Sequence, residues 1–321
     1  MSNNWDTKRE TALKILTDEL NITSVEVTRF PTGLCHSVYY VKTEDDEYVL
    51  RITESKWHYD GSVTWLNELA RFEIPIPKIL KHGHYRDEYY RDVYYTLITY
   101  INGKDLGEVY HTLYDFQKRG IAKELAEIQR KVSVIPPEKI ESAGSVVSYT
   151  PEERIKSIEN NIQRSRESIA ANKVFDPGVC DAVAELADTF KDYFANIKPV
   201  AYLDDISDKN VLIHGGRLAG IVDIDEMGYG DPLEIVGLTN LALLLRKADT
   251  NYIDYWLDEM LANDDQRKAL TFYTLLSCIA VMGEQGAKFG NDAVVPVNQD
   301  KMALLNSIYN KLLTMLQVTA E

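Results

Sequence analysis

The spacing of apolar residues changes once along this chain, near Asp105, and this change limits the possible folds more than any other feature. Before it, short β-branched and aromatic runs at 25–30, 38–41 and 48–52 alternate with turn residues, which predicts antiparallel strands. After it, apolar residues recur mostly every three to four positions, which predicts helices. The chain is therefore predicted to be α+β, with a strand-rich first part and a larger, mainly helical second part.

Two further strand-like runs, at 88–90 and 93–100, bring the predicted sheet to five strands, and an extended segment is predicted at 78–80. Helices are predicted over 7–20 and 60–72. A chain of 321 residues exceeds the usual size of one domain. Two lobes are therefore predicted, with boundaries at 1–101 and 102–321.

Seven helices are predicted in the second lobe, at 114–132, 151–171, 178–196, 234–246, 251–262, 265–283 and 299–317. One island with a different pattern interrupts them between Ala201 and Asp231. It reads as a short loop, a strand at 211–213, a Gly-Gly turn and a strand at 218–222.

Acidic and amide side chains flank the two strands of this island. Asp205 precedes Asn210 by five residues, Asn210 leads directly into the first strand, and Asp223 follows the second strand. Phosphoryl transfer from ATP needs a carboxylate at the acceptor hydroxyl and oxygen ligands for Mg²⁺. A hairpin would bring Asn210 and Asp223 to one rim, where they can share a metal. The alternative is that these side chains only cap turns.

The stretch from Leu203 to Pro232 resembles the catalytic segment of the aminoglycoside phosphotransferase and choline kinase family. It keeps that family's Asp, four residues, Asn pattern, then a strand, a turn, a strand ending in Ile-Asp, and Gly-x-Gly-Asp-Pro. The resemblance implies a protein-kinase-like, two-lobed fold. It also implies Asp205 as the catalytic base and Asn210 and Asp223 as metal ligands.

Two departures from this pattern occur directly before Asp205. Leu203 stands where the family has His, and Asp204 stands where it has Gly. The missing His normally supports the loop, so the expected effect is altered packing. Three roles are open for Asp204: it raises the pKa of the neighbouring base Asp205, it contacts an amine of the substrate, or it is an exposed turn residue.

The first lobe is expected to bind the nucleotide. The connection between the first two strands resembles the family's phosphate-covering loop, and the segment 97–106 resembles its hinge. The residues that the resemblance assigns to the nucleotide are Gly33, Ser37, Arg51, Thr99 and Ile101. Arg51 stands where kinase-like folds place the third-strand lysine, although a solvent-facing strand arginine is the alternative. The helix glutamate that pairs with that cation is missing, because Ser62 stands at its position.

The resemblance implies an enzyme that uses ATP (or GTP) and Mg²⁺ to phosphorylate a hydroxyl of a small molecule. An aminoglycoside or another amine-bearing compound is one substrate class; choline, homoserine, methylthioribose and fructosamine-type compounds are the others. A nucleotide-binding regulatory protein without turnover is the alternative from a different class, because the His-Gly pair and the helix glutamate are changed.

Charge and composition exclude several other classes. A net charge of -15 would repel a nucleic-acid backbone, so no nucleic-acid partner is expected. The same charge would attract a cationic small molecule or serve solubility. No apolar run reaches the ~20 residues of a membrane span, and the first residues do not resemble a secretory signal. Three cysteines, scattered and odd in number, indicate neither a disulfide framework nor a zinc site. A cytoplasmic protein is expected.

Overall fold

The computed structural model describes residues 4–23, 25–30, 36–87, 91–289 and 293–318. The chain divides into two compact units. The first unit consists of Met1–Gly103 and Ala219–Glu226, and the second of Lys104–Leu218 and Met227–Glu321. The chain therefore passes from one unit to the other three times.

The first unit contains a five-stranded antiparallel sheet in the order β1-β2-β3-β5-β4. Its strands are β1 (Glu26–Arg29), β2 (Ser37–Lys42), β3 (Glu47–Thr53), β4 (Ile79–Arg86) and β5 (Asp92–Thr99). Four of these strands, β1, β2, β3 and β5, lie at predicted runs, whereas β4 was predicted only as an extended segment. The fourth strand extends from the segment predicted at 78–80, while the predicted run 88–90 lies outside the described residues.

Two helices accompany this sheet. Helix α1 (Asn4–Lys14) continues into a π turn at Ile15–Glu19, and α2 (Lys56–Leu69) ends in a 3-10 turn. Helix α2 begins four residues earlier than predicted because the side chain of Ser55 accepts a hydrogen bond from the backbone N–H of His58 and caps the helix. Apolar residues of α1, the π turn and the strands form one buried core, which includes Ala12, Ile15, Leu16, Tyr39, Val41, Leu50 and Leu97.

The second unit is mainly helical, and the predicted fold class is confirmed. Its helices are α3 (Leu106–Val109), α4 (Asp115–Val132), α5 (Pro137–Ser142), α6 (Pro151–Asn172), α7 (Val179–Thr189), α8 (Lys191–Asn196), α9 (Leu233–Leu245), α10 (Asn251–Glu259), α11 (Asp264–Glu284) and α12 (Gln299–Val318). The predicted helix 178–196 is two helices, α7 and α8, that meet at Phe190.

Short strands interrupt these helices. They are β6 (Lys104–Asp105), β7 (Val200–Leu203), β8 (Val211–His214), β9 (Arg217–Ile221), β10 (Met227–Gly230), β11 (Lys288–Phe289) and β12 (Ala293–Val294). The strands predicted at 211–213 and 218–222 correspond to β8 and β9, and both residues of the turn between them, Gly215 and Gly216, have positive φ.

Strands β7 and β10 pair antiparallel, with Leu203 opposite Met227 and Val200 opposite Gly230. The sequence predicted a loop here, because β7 is only four residues long and β10 contains two glycines. Within the described part of the chain, no helix has both the length and the apolar character of a membrane span.

Candidate functional site

Asp205 and Asn210 lie in a compact loop of the second unit between β7 and β8. The Nδ2 atom of Asn210 donates to the backbone carbonyl of Asp205 at 3.1 Å, and the N–H of Ser207 donates to Asp205 Oδ1 at 3.2 Å. The backbone N–H of Asn210 donates to the carbonyl of Ser207 at 3.1 Å. These bonds hold the two residues in one turn and leave the Asp205 side chain partly exposed.

Buried polar contacts anchor this loop to the helices of the second unit. The carboxylate of Asp208, which is 1 % exposed, accepts a short hydrogen bond from Arg246 Nε, and the N–H of Gly107 donates to the Asp208 carbonyl at 2.9 Å. The Nε2 atom of Gln129 on α4 donates to the carbonyl of Ala201 at 2.9 Å. The loop therefore has little freedom to change its position relative to α4 and α9.

Leu203, which replaces the family's histidine, is buried at the end of β7. An apolar side chain at this position contributes to the core of the second unit. Altered packing of the loop, relative to the family, stays a prediction.

Asp204, the second departure, lines a cavity of about 380 Å³ in the second unit. Tyr202, Arg164, Glu234 and Tyr273 also line it. The hydroxyl of Tyr202 donates to Glu234 Oε2 at 3.2 Å. Burial, assisted by the nearby charge of Asp231, raises the pKa of Glu234 to about 7. This cavity, next to the loop of Asp205, is lined by two carboxyl groups, a guanidinium and two largely buried tyrosines.

The aspartate of the Gly-x-Gly-Asp-Pro segment has a structural role. Asp231 is 4 % exposed and accepts hydrogen bonds from the hydroxyls of Tyr193 at 2.6 Å and Tyr273 at 3.2 Å, and from the N–H of Leu233 at 3.0 Å. Burial raises its pKa, and these three donors partly offset the increase. Asp231 therefore joins the start of α9 to α8 and α11.

Arg51 and Asp223 are brought together in the first unit. Arg51 is 7 % exposed on β3, and its Nη2 atom donates to Asp223 Oδ1 at 2.7 Å. Its Nη1 atom donates to Ser62 Oγ at 2.9 Å, on α2. The alternative of a solvent-facing Arg51 is therefore wrong. Asp223 has a φ of 61°, a left-handed conformation that costs energy for a residue other than glycine but that Asp adopts more readily than most.

Asp225 and His36, which the sequence did not single out, complete this cluster. Arg51 Nη2 lies 2.9 Å from Asp225 Oδ1 and donates to its Oδ2 at 3.0 Å, and His36 Nε2 lies 2.7 Å from the same Oδ2. Burial by itself would raise the pKa of Asp225, but the charge of Arg51 and the contact with His36 lower it to about 2. The available signal was the Asp-x-Asp spacing after β9, since both carboxylates follow one strand end.

The remaining nucleotide residues assigned from the resemblance have different surroundings. Gly33 lies outside the described residues. Ser37 is 5 % exposed at the start of β2, opposite Ile52. The N–H of Thr99 donates to the carbonyl of Lys78 at 3.0 Å, so this donor is used within the first unit. Ile101 packs close to Gly220, where an added Cβ would lie 2.6 Å from its Cδ1 atom.

The predicted metal ligands have the chemistry that Mg²⁺ requires. Asn210 uses Nδ2 in its hydrogen bond to Asp205, and its side chain also carries an amide oxygen, the kind of atom that binds Mg²⁺. The side chain of Asp223 is 50 % exposed and therefore accessible. His36, Asp223 and Asp225 also place one ligand atom each within 4.8 Å of one another, but the guanidinium of Arg51 contacts both carboxylates of that group.

Known proteins resemble this chain at the level of family and fold. The family model described as "phosphotransferase enzyme family" matches residues 26–266, about three quarters of the chain. No curated protein sequence matches the chain. Solved structures that resemble it include aminoglycoside phosphotransferases, at identities that indicate a shared fold.

The GDP complex of wild-type aminoglycoside 2'-phosphotransferase-IIIa has a TM-score of 0.69 at 16 % identity, covering 96 % of this chain and 99 % of that one. The GDP and kanamycin complex of APH(2")-IIIa has a TM-score of 0.65 at 17 % identity, covering 96 % and 97 %. A thermostable mutant of APH(4)-Ia with ADP and hygromycin B has a TM-score of 0.65 at 16 % identity, covering 94 % and 97 %. Because the family model matches about three quarters of its length, this chain belongs to the phosphotransferase enzyme family.

Proposed function

We propose that this protein transfers the γ-phosphoryl group of ATP or GTP to a hydroxyl of an amine-bearing small molecule. The observation that carries the proposal is the loop in which Asn210 Nδ2 donates to the backbone carbonyl of Asp205 and the Asp205 side chain stays partly exposed. Membership of the family makes this loop the expected place of catalysis.

In the proposed reaction, the acceptor oxygen forms a bond to the γ-phosphorus as the bond from that phosphorus to the β,γ-bridging oxygen breaks. Asp205 orients the acceptor hydroxyl and takes its proton. Asn210 and Asp223 would hold Mg²⁺, which when bound would neutralise charge on the phosphate oxygens. Arg51 would contact the phosphates, since a guanidinium can bind phosphate through two N–H groups. Ser37, Gly33 and the backbone near Thr99 and Ile101 would contact the nucleotide; this part rests on the family resemblance.

The acceptor side of the proposal rests on the cavity beside Asp204. It is lined by the carboxyl groups of Asp204 and Glu234, which can form ion pairs with an ammonium, and also by Arg164. The neighbours with kanamycin and hygromycin B are aminoglycoside phosphotransferases. The net charge of -15 favours the approach of a cation.

A second candidate function is a nucleotide-binding regulator without turnover. It is favoured by the ion pair of 2.7 Å between Arg51 and Asp223, because this contact occupies one oxygen of the carboxylate that the metal would use. Such a protein would bind nucleotide tightly and transfer no phosphoryl group.

Nucleotide consumption with Mg²⁺, measured across aminoglycosides, amino alcohols and neutral sugars, separates the two candidates. We expect turnover on at least one amine-bearing acceptor, and a loss of kcat of at least about 100-fold in Asp205→Asn. Nucleotide affinity should stay unchanged in this variant. Asp204→Asn serves as the matched control, since it removes the adjacent carboxylate and should raise the KM of the acceptor while most of kcat remains.

Two results would contradict the phosphotransferase proposal. Undiminished turnover in Asp205→Asn would remove this residue from catalysis. Tight nucleotide binding by the wild type with no turnover on any acceptor would favour the regulatory candidate instead.

A further inference from the structure

Arg51 needs a partner that holds its guanidinium toward a nucleotide, and the helix residue expected to do so is Ser62. A serine hydroxyl offers one hydrogen bond and no charge, yet Arg51 is 7 % exposed. A buried guanidinium without a carboxylate is strongly destabilising. The carboxylate must therefore come from elsewhere in the first unit.

We infer that Asp225 is the residue that positions Arg51 for the nucleotide phosphates, in place of a carboxylate on α2. This inference rests on the proposed function, from which it takes that the protein binds a nucleotide. Asp225 Oδ1 and Oδ2 lie 2.9 and 3.0 Å from Arg51 Nη2, and the side chain is 14 % exposed. Asp225 therefore places a largely buried carboxylate against the guanidinium of Arg51.

Asp223 also contacts Arg51, but its surroundings suit a different task. Its side chain is 50 % exposed, compared with 14 % for Asp225. If Asp223 turns to a metal ion, it gives up some or all of its contact with Arg51. Asp225 keeps the guanidinium paired in that state, so the cation stays in position while Asp223 binds the metal.

A glycine in α2 allows the segment after β9, which carries Asp225, to approach the helix closely. A Cβ atom on Gly61 would lie 2.1 Å from the backbone carbonyl oxygen of Asp225, a distance that real contacts do not reach. The glycine allows the backbone at Asp225 to pack directly against α2, next to Ser62, which is 3 % exposed. The helix thus leaves room for the segment after β9 to supply the charge.

His36 connects the same carboxylate to the nucleotide loop. It lies one residue before β2, at the end of the segment that resembles the phosphate-covering loop, and its Nε2 is 2.7 Å from Asp225 Oδ2. Asp225 therefore joins β3, the start of β2 and the segment after β9. A change at Asp225 should disturb phosphate binding more than binding of the base.

A double-mutant cycle with Arg51→Met and Asp225→Asn tests this role through binding alone. Affinities for ATP and for adenosine are measured by calorimetry on the full chain without divalent metal. We expect Asp225→Asn to weaken ATP binding by at least about tenfold, the usual scale for one charge-assisted contact, and to leave adenosine binding unchanged. In the Arg51→Met background the second substitution should change ATP affinity by less than about twofold.

Asp60→Asn is the matched control, because this aspartate on α2 pairs with exposed Lys56 and not with Arg51. It should leave both affinities unchanged. If Asp225→Asn does not fold, Asp225→Glu takes its place in the cycle. It keeps the charge but displaces the carboxylate, so it should weaken ATP binding in the wild-type background and change it by less than about twofold in the Arg51→Met background.

Equal weakening by Asp225→Asn in both backgrounds would overturn the inference, and so would equal losses for ATP and adenosine. A wild type that binds ATP while Asp225→Asn binds it equally well would contradict only this inference. A wild type that binds neither ATP nor GTP would contradict the proposed function itself.

Discussion

Glu234 is a single carboxyl group whose protonation in the folded state changes near neutral pH. Burial and the neighbouring Asp231 raise its pKa from 4.5 to about 7. Between these two values the folded state binds more protons than the unfolded state, so the free energy of unfolding falls as pH rises through this window. Above pH 7 the folded state carries the full cost of the ionised group, on the order of 1 to 3 kcal/mol.

Glu234→Gln should therefore stabilise the protein relative to wild type more at about pH 8 than at about pH 5.5. Urea unfolding at both pH values measures the difference. Glu152→Gln is the control: its carboxylate at the start of α6 accepts its own backbone N–H and a contact from Thr150, which lower its pKa, so its effect should be the same at both pH values. A pH-independent effect of Glu234→Gln would show that the carboxyl group titrates normally.

At the scale of elements, the crossing of α9 and α11 depends on one glycine. A Cβ atom on Gly237 would lie 2.8 Å from Tyr273 Cβ and 2.9 Å from the Tyr273 backbone carbon, so the two helices would have to separate. Gly120 on α4 also lies inside a helix, but an added Cβ there would meet no atom within 4 Å. Both glycines have a helical backbone conformation, so the two positions differ mainly in how closely other residues pack against them.

Gly237→Ala should lower the free energy of unfolding by about 1–3 kcal/mol, the usual cost of overpacking. Gly120→Ala should raise it by roughly 0.5–1 kcal/mol, because alanine favours the helix. Chemical denaturation of both variants measures these changes. If both substitutions stabilised the protein, the close approach of α9 and α11 would not be the constraint described above.

At the scale of the whole molecule, the first unit is built from two separate parts of the chain. Residues 219–226 supply Asp223 and Asp225 to Arg51, and the N–H of Ile221 donates to the carbonyl of Pro75 at 2.8 Å. A fragment of residues 1–103 lacks all of these contacts. It would leave the guanidinium of Arg51 buried without a carboxylate, at a cost of about 3–5 kcal/mol.

The fragment 1–103 should therefore show no cooperative unfolding transition by circular dichroism. The same fragment with Arg51→Met should be more structured, because methionine fills similar space without a charge. If instead the unmodified fragment unfolded cooperatively and the substitution destabilised it, residues 219–226 would not be an integral part of the first unit.

Local patterns determined much of this protein from its sequence. The change from strand to helix spacing near Asp105 predicted the fold class, and the strands β8 and β9 around the acidic island followed from short-range apolar and turn signals. These features depend on residues within a few positions of one another, which a pattern records. The segment that resembles the family's catalytic segment could be recognised for the same reason, because its spacing is local.

Only the tertiary structure decided which groups meet across the chain. Arg51 is 172 residues from Asp223 and 174 from Asp225, and no local pattern distinguishes a buried strand arginine from an exposed one. The pairing of β7 with β10 was missed because a four-residue strand forms through its partner and not through its own propensity. Both the ion pairs of Arg51 and the pairing of β7 are contacts between residues far apart in the sequence. Such contacts form only when the whole chain packs into its tertiary structure.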